Sequence, residues 1–139
     1  MTYLFDGYNW VVRIEKGEEL VASLTELVKQ ENIRGAWISG LGGAMRVELG
    51  FYELEKKQYS WKTFDELLEI TSLQGNVSWT DDAPMLHLHG TFSDAQMQAI
   101  GGHVKSLVVG GTCELLLHAI QKDLTRSQDD DIGLKLLNL

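Results

Sequence analysis

The chain has 139 residues, 44% of them hydrophobic and 23% charged, with 12 basic against 20 acidic side chains and a net charge of −8. That length suits one domain over residues 1–139 and is too short for two. The acidic balance, with no basic stripe, argues against direct binding to nucleic acid, and no apolar run reaches the length of a membrane span.

The opening MTYLFDGYNW has neither a basic start nor an unbroken apolar stretch, so no signal peptide is expected and the expected compartment is the cytoplasm. Cys113 is the single cysteine, which excludes an internal disulfide and suits a reducing compartment. Its apolar, strand-like setting points to an inert core thiol.

Trp10 to Ile14 alternates as a first strand, ended by Gly17. Glu18 to Glu31 predicts a helix, with Leu20, Leu24, Leu27 and Val28 on one stripe and Glu18 and Glu19 in the first turn, where the helix dipole favours negative charge. Arg34 to Tyr52 reads as two strands or one strongly bent strand, interrupted by GLGGA at Gly40 to Ala44. GLGGA resembles a phosphate-binding turn only superficially, because the residues after it look extended rather than helical, and a bulge or backbone crossing is expected instead.

Lys56-Lys57 marks a hairpin turn. Leu67 to Trp79 is extended, with Gly75-Asn76 as a turn or bulge, and Asp81 to Pro84 is a turn by composition. Leu86 to Phe92 follows as a strand, Ser93 as the cap of a short helix over Asp94 to Ile100, and Gly101-Gly102 as its end. Val104 to Val109 and Thr112 to Ile120 read as two further strands around Gly110-Gly111. The tail, 125–139, reads as a terminal strand or a segment docking on a neighbouring subunit. These elements make an α+β domain: mixed or antiparallel sheet packed with one long and one short helix.

Chemistry is suggested in one place. His87 and His89 stand two apart on a strand, so both rings face the same side. His103 follows a short connection and two glycines that permit close backbone approach. Three neutral imidazoles are a first shell for zinc or a similar divalent ion, with a fourth position left open for water or a small ligand. The alternative is partly buried histidines bonded to backbone carbonyls. Glu69 and Glu114, in the strands before and after, are the candidate catalytic carboxylates. His118 lies on the face of Glu114, with a surface or packing role.

The ordered pieces GEELVASLTELVKQENIRGAWISGLGGA (Gly17 to Ala44), ELLEITSLQGNVS (Glu66 to Ser78), PMLHLHGTFSD (Pro84 to Asp94), IGGHV (Ile100 to Val104) and GTCELLL (Gly111 to Leu117) together resemble the plants and prokaryotes conserved (PPC) domain family, over about residues 8 to 120. The resemblance implies a PPC-like α+β fold assembled as a homotrimer, and a DNA-binding or regulatory label. In plants the domain accompanies an Arg-Gly-Arg-Pro AT-hook, which this sequence lacks; its one proline is Pro84. The similarity is therefore to the stand-alone prokaryotic form, in which His87, His89 and His103 match the metal motif. Glu69 and Asn76 match an E-x-x-S-L-x-G-N segment, which makes Asn76 a cofactor-binding candidate. A more distant analogy to the zinc-dependent acetolactate decarboxylases implies an alternative, an enzyme acting on a small carbonyl or carboxylate substrate.

Overall fold

The computed structural model describes residues 1–81 and 83–139. Its strands are β1 (Thr2–Phe5), β2 (Asn9–Glu15), β3 (Ala36–Glu53), β4 (Gln58–Phe64), β5 (Leu68–Thr80), β6 (Ala83–Ser93), β7 (Ala99–Ala119), β8 (Arg126–Asp129) and β9 (Leu134–Leu137). One helix, α1 (Leu20–Gln30), lies between β2 and β3.

Seven strands form one sheet in the order β1-β2-β7-β6-β5-β3-β4, and β3 also pairs with β7. That extra pairing closes a ring, β3-β5-β6-β7, and every ladder in it is antiparallel. Alternation puts Phe92, Ile38, Leu73, Leu88, Leu107 and Leu117 in the interior with no exposure to solvent above 1%, while their strand neighbours face out. The expected stripe on α1, Leu20, Leu24, Leu27 and Val28, is fully buried against this sheet.

The helix starts two residues later than the pattern suggested. Glu19 is its cap and accepts the Ala22 N–H at 2.6 Å through one carboxylate oxygen. Through the other it accepts the Leu107 N–H of β7 at 2.9 Å, which ties the helix start to the sheet. Glu18 turns away to the amino group of Met1 at 2.6 Å.

The short helix expected at Asp94 to Ile100 does not form. Asp94 Oδ1 accepts the N–H groups of Gln96 and Gln98 at 2.8 and 2.9 Å, and Met97 takes a positive φ of 62°. A side chain that satisfies these backbone donors replaces the helix with a tight hairpin turn. Ser93 is the last residue of β6 rather than a cap.

Three predicted interruptions are also continuous strand. β3 is one bent strand with register shifts at Gly40/Gly42 and on to Glu48/Leu49, where GLGGA forms bulges rather than an anion-binding turn. Gly110-Gly111 lies within β7, and Gly75-Asn76 within β5. Of the turn expected at Asp81 to Pro84, Asp81 takes a positive φ of 52°, whereas Ala83 and Pro84 already belong to β6, paired with Thr80 and Trp79; Asp82 lies outside the described residues. Cys113 is fully buried, and burial followed by the nearby charge of Glu114 pushes its thiol up to about 12, so it is inert.

Gly75 faces Leu88 across β5 and β6, and a Cβ there would lie 2.2 Å from the backbone oxygen of His87. Backbone cannot yield as a flexible side chain can, so Gly75→Ala is expected to destabilise the fold by roughly 2–3 kcal/mol. Urea denaturation measures this; a midpoint matching wild type would show that the two strands have slack.

Candidate metal centre

The β6–β7 hairpin builds the site. Its register sets His89 directly opposite His103, and the period of the strand puts His87 on the same outer face. Ring centroids are 5.1 Å apart for His87 and His89, 5.3 Å for His87 and His103, and 5.4 Å for His89 and His103. One ligating nitrogen from each ring lies within 4.8 Å of the others.

The Nε2 atoms of His87 and His89 are 3.2 Å apart. Two ligands on a tetrahedral zinc at the usual zinc–nitrogen distance are separated by about 3.3 Å. His103 Nδ1 is buried and has no hydrogen-bond partner among the described residues. An orphaned ring nitrogen carries a desolvation cost that a cation would remove, so the residues present fit a metal ion.

Burial keeps two of the rings ready to ligate. His103 is held at about 4, chiefly by burial and then by His87 and His89. His87 is also lowered, by burial first, then by Arg126 and His89. Both are therefore neutral near pH 7, the state a metal requires.

Aromatic rings wall one side. Tyr59 of β4 lies 4.9 Å from the His103 ring and stacks on Trp61 at 4.7 Å; Trp61 meets His103 edge-on at 6.1 Å. Gly50 of β3 pairs with both His103 and Trp61, and a Cβ there would sit 2.5 Å from the Trp61 ring. Glycine is what lets the wall lie flat beside the histidines. Lys105 covers Trp61 at 4.8 Å and pairs with Glu48 at 3.0 Å.

The other side belongs to Arg126, which the sequence reading missed. Its Nε donates to Ser78 Oγ at 2.9 Å, and its Nη2 donates to Asn76 Oδ1 at 3.0 Å and lies 3.3 Å from His87 Nδ1. Nη1 donates to the Lys135 carbonyl at 2.7 Å. No motif flags this arginine; only the docking of the β8–β9 hairpin on its own chain delivers it. That hairpin is held at its other end by Tyr52 Oη, which donates to the Ile132 carbonyl at 2.7 Å.

The remaining expected positions fall differently. Asn76 is buried and holds Arg126 rather than facing the open side of the cluster. Glu69 pairs with Ser93 and Gly43 near the start of β5, whereas the residue of β5 opposite His89 is Gln74. Glu114 pairs with Arg13 and Leu41 in the far half of β7. Neither carboxylate is brought to the histidines. His118 bonds Asn9 Oδ1 at 2.6 Å on the surface.

Residues 1–121 match the model of the Plants and Prokaryotes Conserved domain. The chain belongs to that family. A search of curated protein sequences yields no match. Among solved structures, a candidate DNA-binding protein of Bacteroides thetaiotaomicron is 30% identical, with 99% of this chain and 96% of that one covered and a TM-score of 0.95. The metal-containing protein AF0104 of Archaeoglobus fulgidus is 32% identical, covers 100% and 99%, and has a TM-score of 0.87. Acetolactate decarboxylase of Bacillus subtilis subspecies spizizenii is 15% identical, with 87% of this chain and 57% of that one covered and a TM-score of 0.58. This last likeness is one of fold alone.

An imidazole held at about 4 in the fold but at 6.5 in the unfolded chain binds more protons unfolded throughout that interval. Stability of the metal-free protein therefore falls as pH drops from about 6.5 to about 4. Thermal melts of chelator-treated protein should show the slope, and His103→Gln should flatten it. An equal slope in the variant would assign it elsewhere.

Proposed function

We propose that the protein is a homotrimeric, cytoplasmic PPC-domain protein whose three histidines hold a divalent ion, and that this centre binds a small ligand in a regulatory role. The observation that carries the reading is the convergence of His87, His89 and His103, with one ring nitrogen of His103 orphaned. Three imidazoles without thiolate or carboxylate favour zinc. Such an ion polarises a bound oxygen ligand and leaves one position open. The metal-containing relative of Archaeoglobus supports the assignment.

Binding is favoured over turnover because no carboxylate joins the histidine cluster among the described residues. A metal hydrolase or decarboxylase needs a nearby group to move protons, and Glu69 and Glu114 pair elsewhere in the sheet. The enzyme remains the second reading, supported by the open coordination position of a three-histidine set. The relative in Bacteroides supports a DNA-associated role, but a net charge of −8 per chain opposes direct contact with phosphate.

The trimer is supported by a cluster of apolar side chains on the outer sheet face, beside the Arg13–Glu114 pair. Leu4, Val11 and Leu116 lie side by side in register across β1, β2 and β7, with Leu41 and Trp37 on β3 beside them, and all five are exposed. An apolar patch of this kind is normally covered.

Elemental analysis of protein purified without chelator should find about one zinc per chain, lost in His87→Ala and His103→Ala. Absence of metal from wild type would end the reading. Sedimentation should give a particle of three 15.6 kDa chains, and Leu116→Glu should release single chains. Retarded DNA at moderate salt would reverse the order of the regulatory readings. Conversion of a bound molecule would favour the enzyme.

A further inference from the structure

The β8–β9 hairpin lies beyond residues 1–121, the part that matches the family model, yet it places a guanidinium at the metal centre. Arg126 is half-buried, and all its partners are uncharged: a hydroxyl, an amide oxygen, a backbone carbonyl and an imidazole nitrogen. Among the described residues no carboxylate pairs with it, and none joins the histidine cluster. In a chain with 20 acidic residues, this corner holds a fixed cation next to the seat of a second one. Partly desolvated positive charges without a counter-charge are costly, and an anion that arrives there gains from both.

We infer that the centre takes a small organic carboxylate, and that Arg126 is the residue that selects it. The inference rests on the metal reading above and names the ligand class for that site. A carboxylate suits the planar donors of a guanidinium. The Tyr59–Trp61 wall, 4.9 Å from His103 on the other side, offers an apolar face to the rest of the ligand, which inorganic anions lack.

The hydrogen bonds also order the events. Arg126 can donate to His87 Nδ1 only while that nitrogen is bare, which leaves the ring proton on Nε2, 3.2 Å from His89 Nε2. An ion held by Nε2 moves that proton to Nδ1, which then no longer accepts from Arg126. One Nη2–H loses its partner as the metal enters, and a second donor, on Nη1, is uncommitted beyond the Lys135 carbonyl. The metal thus prepares the arginine for an anion, and metal and carboxylate bind with positive coupling.

The test titrates zinc-loaded and chelator-treated protein with benzoate and, separately, with inorganic phosphate, by calorimetry. Benzoate should bind the zinc-loaded form at least tenfold more tightly than the metal-free form, and more tightly than phosphate. Arg126→Gln should keep its zinc and lose tenfold or more in benzoate affinity, and Arg126→Lys should recover part of it. Zinc retained with benzoate affinity unchanged in Arg126→Gln would overturn the inference and leave the metal reading intact. Phosphate preferred over benzoate would overturn the carboxylate assignment. Wild type that holds no zinc would remove the metal reading and this inference together. If Arg126→Gln proves unfolded by thermal melt, Arg126→Lys carries the comparison: affinity equal to wild type would then show that the fork of the guanidinium is not used.

Discussion

The structure depends on the register of one hairpin. Asp94 turns the chain between β6 and β7 by accepting two backbone N–H groups, and the pairing that follows sets His89 against His103 and Gly90 against Gly102. A slip of one residue would send every side chain of β7 to the opposite face, burying His103 in the core and exposing Val104. Two kinds of crowding oppose such a slip. Gly101 and Gly102 are flanked by backbone oxygens of Gly90 and Gly50, each 2.9 Å from where a Cβ would stand, so only glycine fits there. Outside the hairpin, Gly75 lets β5 lie against His87 itself.

Around that register the molecule separates two electrostatic regimes. The surface as a whole is acidic, and exposed ion pairs such as Arg13 with Glu15 contribute little to stability. The histidine face is different: burial lowers the His87 and His103 imidazoles, and the guanidinium of Arg126 beside them has no anionic partner among the described residues. Burial pulls the arginine below its ordinary value too, but a guanidinium stays protonated at any physiological pH. A polyanion meets the repulsion of the acidic chain as a whole before it reaches this face.

The same face continues around the ring. His89 pairs with Gln74, Gln74 with Ser39, and Ser39 with Leu116 of the apolar patch. The candidate centre and the candidate assembly surface are therefore neighbours on one continuous row of residues. Closure of β3 onto β7 completes this row, because Ser39 reaches Leu116 only through that pairing.

Local pattern sufficed where a property depends on residues close in sequence. The stripe on α1, the alternation of β2, the turn at Lys56-Lys57 and the shared facing of His87 and His89 follow from period and turn chemistry alone. The convergence of His103 was legible because a hairpin is short-range. The glycines misled: Gly75 and Gly110-Gly111 read as breaks, whereas all three lie within continuous strands, and Gly75 and Gly110 serve close approach between strands in mid-sheet. The helix at Asp94 failed because a single carboxylate outcompeted helix hydrogen bonding, which composition does not reveal. What tertiary structure alone decided is which distant groups share the site. Glu69 and Glu114 sit on strands adjoining the histidines, yet register carries them away from the cluster, and Arg126 arrives through a hairpin more than twenty residues beyond His103. Sequence spacing determines which way a side chain faces along its own strand; pairing between strands determines its neighbours, and those contacts depend on closing the whole ring.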